Sequence, residues 1–183
     1  MSYRIKYNKY VAKHSIKNFK ISNPPQHKSY NYFMIIPAYN EYDYINITLS
    51  SISKQTLQKK LLVIIVINNS EHSTNNIVNN NKQTYKKLNS TKYPFEIILI
   101  DCFSKNHAFP KIVAGVGMAR KVGLDFCLKY GNKTSLLCSL DADTLLNPKY
   151  LELVFNLFID KKYKAAVVNF KHQKSEEPKT NQL

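Results

Sequence analysis

Long apolar runs are missing from this sequence. The longest unbroken aliphatic stretch is Leu61 to Ile67, seven residues, whereas a membrane-spanning helix needs about 20. The N-terminus carries charge but no apolar core segment, so no secretory signal is expected. Cysteine is scarce and scattered: Cys102, Cys127 and Cys138 form an odd set with no clustering. That excludes a disulfide framework and a compact zinc motif, and it favours a reducing, cytoplasmic setting. Arginine is almost absent. Arg4 and Arg120 stand beside 25 lysines, and 12 acids against 27 bases leave a net charge of +15. A charge of that size suits nucleic acid or an anionic membrane. Base and phosphate readers, however, favour the planar fork of arginine. With 20 asparagines also present, the lysine excess reads as a general residue bias, and no specific nucleic-acid partner is expected.

What is present points to a packed domain. The chain has 183 residues, 44% of them hydrophobic, with 13 Tyr and 9 Phe, which is material for one core. Residues 1–30 form a basic arm with seven Lys/Arg and no acid. It reads as a solvated tail, or as a surface arm that touches anionic lipid headgroups or an acidic partner chain and so keeps the protein peripheral to a membrane. Asn23-Pro24-Pro25 ends it. Residues 31–175 then read as the main domain and 176–183 as a polar tail.

Within that domain, Tyr32 to Ile36 is an apolar strand stopped at Pro37. Asp43 to Gln58 keeps helical spacing through Ile45, Leu49, Ile52 and Leu57. Leu61 to Ile67 suits a parallel strand covered on both faces. A polar, Asn-rich stretch holds a weak helix around Ile77, Tyr85 and Leu88. Phe95 to Ile100 is a third strand, and Val113 to Lys129 a helix. Ser135 to Leu140 is a fourth strand, and a helix starts at Asn147-Pro148 and runs to about Asp160. Ala165 to Phe170 is a fifth strand. Strand and helix alternate, which predicts an α/β fold: a doubly wound, mostly parallel sheet with helices on both faces. Ligands of such sheets bind at the carboxyl ends of the strands. Asn40, Glu41, Asn68, Asn69, Asp101, Asp141 and Asp143 all fall just after a strand.

Two stretches carry chemistry. Asp141-Ala142-Asp143 places two carboxylates one residue apart after a hydrophobic strand. Hard oxygens there suit Mg²⁺ or Mn²⁺ with positions left for phosphate; the alternative is a helix cap or Asx turn. Pro37-Ala38-Tyr39-Asn40-Glu41 turns from strand to helix and offers polar groups to a base or ribose; the alternative is a plain turn capped by Asn40. Gly115-x-Gly117 lacks the third glycine of a dinucleotide fingerprint and follows the wrong strand. A nucleotidyltransferase would open with a Gly-rich basic phosphate loop, which the stretch after Ile36 lacks.

Pro37 to Glu41, Val66-Ile67-Asn68-Asn69-Ser70, Gly117 to Gly123 and Asp141 to Asp143 together resemble, in order and spacing, the family 2 glycosyltransferases. The resemblance covers roughly residues 30–175, the nucleotide-sugar-binding half of a GT-A fold. It implies that Pro37, Ala38, Tyr39, Asn40 and Glu41 line the base and ribose pocket. Asn68 and Asn69 stand where the family usually carries Asp-Asp or Asp-Asn. Arg120 takes the place of the arginine near the diphosphate, while Lys121 replaces the usual Asn. Asp143 matches the metal ligand that bridges the diphosphate, and Asp141 the carboxylate near ribose and metal. A metal-ligand histidine of some relatives has a candidate in His172, beside the plainer reading of a surface residue. Asp101 either faces the sugar or caps a helix.

The resemblance also implies an inverting transfer with a general base that lies beyond the metal motif. The sequence given runs 40 residues past Asp143, and after Glu152 its tail holds only Asp160, Glu176 and Glu177 as acids. The expected activity is therefore that of a donor-binding half: a truncated product, an isolated domain or one piece of a split enzyme. The alternative is a non-catalytic nucleotide-binding module.

Overall fold

A computed structural model of the chain describes residues 3–56, 60–161, 163–169 and 171. Its order is α1 (Tyr3–Lys13), β1 (Tyr32–Ala38), α2 (Ile45–Ser53), β2 (Leu61–Asn68), α3 (Asn75–Ser90), β3 (Glu96–Cys102), α4 (Val116–Tyr130), β4 (Leu136–Ser139) and α5 (Tyr150–Lys161). The strands form one sheet in the order β3-β2-β1-β4. Every pairing is parallel, with Tyr32 level with both Leu61 and Leu136. β1 and β2 are buried along their whole length, as strands covered on both faces must be.

Alternate side chains of these strands enter two cores. Met34, Ile36, Val63 and Ile65 meet Ile45, Leu49 and Ile52 of α2, Leu88 of α3, and Leu151 and Val154 of α5. Phe33, Ile35, Ile64 and Val66 meet Ala119, Val122 and Phe126 of α4. The doubly wound α/β class read from the sequence is thus present. Among the described residues, no helix is long and apolar enough to cross a membrane.

Three expectations need correction. Residues 163–169 form no strand and are exposed; Val favours extended backbone while Ala does not, and a strand exists only where a neighbour accepts its hydrogen bonds. Helix α2 ends at Ser53, before Leu57, which lies outside the described residues, as do Phe170, His172, Glu176 and Glu177. The stretch preceding Asn23 is not a loose tail. Its first part is helix α1, and it is tied to the body by acids. Asp125 of α4 accepts from Tyr10 Oη (2.8 Å) and from the Ile16 amide (2.9 Å). Phe19 meets Phe126 edge to face, 5.3 Å between centroids. Lys20 pairs with Asp101 at 2.9 Å. The Ser22 amide donates to Leu99 O and the Asp101 amide to Lys20 O, with Ile21 bridging antiparallel to Ile100. The arm therefore covers the outer edge of β3.

Candidate functional site

The chain runs outward from β1 through β2 to β3, then returns to lay β4 on the other side of β1. The switch point is the carboxyl end of β1 and β4, where open parallel sheets hold ligands. A cleft of about 570 Å³ opens there. The Pro37–Glu41 turn lends it Pro37, Tyr39 and Glu41; the end of β2 lends Asn68, Asn69 and Ser70; the loop after β4 lends Asp141, Ala142 and Asp143. Residues roughly 100 apart in sequence thus share one cavity. Ala38 is buried behind the turn. Asn40 sits at its lip with φ of 63°, a left-handed backbone that asparagine tolerates better than most residues.

Ala114, Gly115 and Val116 form a further wall, which sequence reasoning missed. Gly115 precedes α4 with φ of 146° and no side chain caps the helix. The first amides of a 15-residue helix are therefore left for another acceptor, at the positive end of its dipole. One turn further along, Arg120 Nη2 donates to Asp141 Oδ1 at 2.5 Å. Arg120 Nε is buried with no hydrogen-bond partner among the described residues.

The cleft is acidic. Burial, then Asp143, then Asp141 push the Glu41 carboxyl above its usual range. Among the described residues, no group of three or more His, Cys, Asp or Glu forms a ready-made metal cage. The donors at hand, Asp141 and Asp143, are two hard carboxylates, the number Mg²⁺ uses when substrate phosphates complete its shell. Their repulsion of Glu41 is the imbalance that a cation corrects, so these residues fit a divalent ion.

Both rims rest on buried amides and hydroxyls. Thr48 Oγ1 of α2 donates to Ala142 O at 2.6 Å, the Leu146 amide donates to Ser51 Oγ, and Gln55 binds Asn147 O and the Leu151 amide. On the other rim, Asn68 Nδ2 donates to Ala38 O and Val66 O. Asn69 Nδ2 donates to Ser70 O, and its Oδ1 accepts from Asn81. Both amides are therefore engaged within the protein. Asp101 is not among the residues that line the cleft: its carboxylate accepts from the Phe103 and Ser104 amides and from Ser104 Oγ. These bonds close a turn, and no helix starts there, so Asp101 caps no helix.

The sequence match falls on this rim. Residues 33–89 match the model of glycosyl transferase family 2. The matched segment opens in β1 and closes in α3, and it takes in the Pro37–Glu41 turn and Asn68–Ser70. Arg120, Asp141 and Asp143 lie outside it. No curated protein matches the sequence. Among solved structures, TarS of S. aureus (residues 1–349) in complex with UDP-GlcNAc is similar at 20% identity and a TM-score of 0.48, over 71% of this chain and 31% of that one. The same fragment in complex with UDP gives 21% identity and 0.44, over 71% and 32%. This chain thus spans about a third of the solved chains it matches.

Proposed function

We propose that this protein binds a nucleotide-diphosphate sugar in the switch-point cleft and serves its transfer to an acceptor hydroxyl. The observation that carries the reading is the cleft itself. It joins the Pro37–Glu41 turn, the end of β2, the open N-terminus of α4 and the Asp141–Asp143 pair in one cavity. In this reading the base and ribose lie along Pro37, Tyr39, Asn40 and Glu41, with Ala38 behind them and Asn68 and Asn69 as the frame. The diphosphate lies between Arg120, the α4 amides and Asp141. Asp143 and Asp141 would hold Mg²⁺ or Mn²⁺, which offsets charge on the diphosphate as it leaves. The uncapped α4 supplies donors where that charge develops, with the Arg120 guanidinium beside Asp141 as a further cation.

Transfer breaks the bond between the sugar and the diphosphate and forms one to the acceptor oxygen, whose proton must leave. The carboxylates lining the cleft are Glu41, Asp141 and Asp143, all in donor-side roles here. That favours a second reading, a donor-binding module that transfers little by itself or works with a partner chain. Sugar-nucleotide turnover separates the two: sustained release of nucleotide diphosphate upon adding acceptors supports the enzyme. The three free, buried cysteines support a reducing, cytoplasmic setting. The outer lysines of α1 suit anionic headgroups.

The test is calorimetry with UDP and GDP in the presence of Mn²⁺. Wild-type protein is expected to bind one of them, and Asp143→Ala to lose most of that affinity. Equal binding by both proteins, or none by either, defeats the reading.

A further inference from the structure

The polar run Asn75 to Asn81 looks in sequence like filler. In the structure its last two members reach the cleft from behind. Asn81 is 1% exposed. Its Oδ1 accepts from the Asn40 amide at 3.0 Å, and its Nδ2 donates to Asn68 O at 3.0 Å and Asn69 Oδ1 at 2.9 Å. One amide thus ties α3 to the turn after β1 and to the end of β2. Asn80 Oδ1 accepts from the Tyr42 amide at 3.2 Å. The two bonds grip the backbone on either side of Glu41.

The grip has an energetic reason. Asn40 holds a left-handed backbone, which persists in a non-glycine residue only where the surroundings impose it. Glu41 is held close to two further carboxylates, and an unrestrained turn would swing it toward water. Buried amides with all partners in place fix such geometry firmly.

We infer that Asn81, with Asn80, is a positioning residue: it holds the Asn40–Tyr42 backbone so that Tyr39 and Glu41 face the nucleotide. This rests on the nucleotide-binding reading above. No reacting atom touches Asn81; it acts through the turn.

Amide exchange by NMR and nucleotide calorimetry test it together. In wild-type protein the Asn40 and Tyr42 amides are expected to be protected. Asn81→Ala should lose protection at Asn40 and weaken nucleotide binding about tenfold or more. Asn80→Ala, at a half-buried position that leaves the core intact, should lose protection at Tyr42 and weaken binding about threefold. Leu88→Val, in the core face of the same helix, lowers stability while leaving both amides and the affinity unchanged. If Asn81→Ala and Asn80→Ala lose amide protection yet bind as wild type does, or if Leu88→Val weakens binding equally, the positioning role is overturned while nucleotide binding stands. If wild-type protein binds neither UDP nor GDP although both amides are protected, the functional reading falls, and the positioning role with it.

Discussion

Arg120 is one of two arginines in the chain, and its donors are in unequal states. Nη2 is bonded to Asp141, while Nε is buried without a partner. The guanidinium stands at the acidic loop through Nη2, and charge-assisted bonds from such a group to a diphosphate are the strong ones. Arg120→Ala should therefore weaken a nucleoside diphosphate by about tenfold or more, since bonds to charged groups contribute about 1.5–3 kcal/mol. The parent nucleoside should bind as before. Titrating both ligands into both proteins measures this; equal loss for nucleoside and diphosphate would show that Arg120 supports the fold instead.

At the same scale, the sequence was informative where chemistry is local and silent where it is shared. Asp141 and Asp143 could be read from two letters after a strand. Asn68 and Asn69 were legible as rim residues, but their bonds were not. Two of them, at Asn68 O and Asn69 Oδ1, come from Asn81, a dozen residues away, and an amide carries no periodic signature. Thr48, Ser51 and Gln55 did leave a trace, as polar residues at helical spacing in an apolar helix. Their partners in the loop after β4 could be seen only in the folded chain.

Between elements, α4 packs closely on the sheet at Gly123. A Cβ added at Gly123 would stand 2.3 Å from Ile35 Cγ2 and 3.3 Å from a Val66 methyl. Side chains at the centre of a sheet have little room to yield. Gly123→Ala should cost about 1–3 kcal/mol, read as a lower urea midpoint. A midpoint that stays in place would mean that α4 rides further from β1.

The arm on β3 makes a second elementary junction, with a pH signature. Asp101 is buried, which alone would raise its pKa, but Lys20, Ser104 and the Ser104 and Phe103 amides outweigh burial and set it below the ordinary 3.8. A depressed carboxylate binds its proton less readily in the folded state. Its contribution is complete above the ordinary value and fades as pH falls through the native one. As pH falls below the ordinary carboxylate range, wild-type protein should lose stability more steeply than Asp101→Asn. Parallel acid limbs in thermal melts of the two proteins would remove Asp101 from the account.

Across the molecule, the four strands and their parallel sense followed from the alternation of strand and helix, with Leu61 to Ile67 as the plainest aliphatic run. The helical arm did not. Lysines dominate its composition, and its anchors, Tyr10, Ile16 and Phe19, answer to Asp125 and Phe126 more than 100 residues later. The segment at 165–169 erred in the opposite direction: Ala-Ala-Val-Val has the right letters, yet stands exposed without a pairing partner.

The sheet's two margins are treated differently. Lys20 to Ser22 overlie one margin. On the other, β4 pairs with β1 alone among the described residues, and Leu137 there is 40% exposed. Among the described residues, the arm occupies the middle of one margin and the other stands open. A strand appended to that open margin, whether by a longer polypeptide or by another molecule, would therefore join beside the acidic turn, and each addition would build up one bank of the cleft while leaving its asparagine-braced bank as it is.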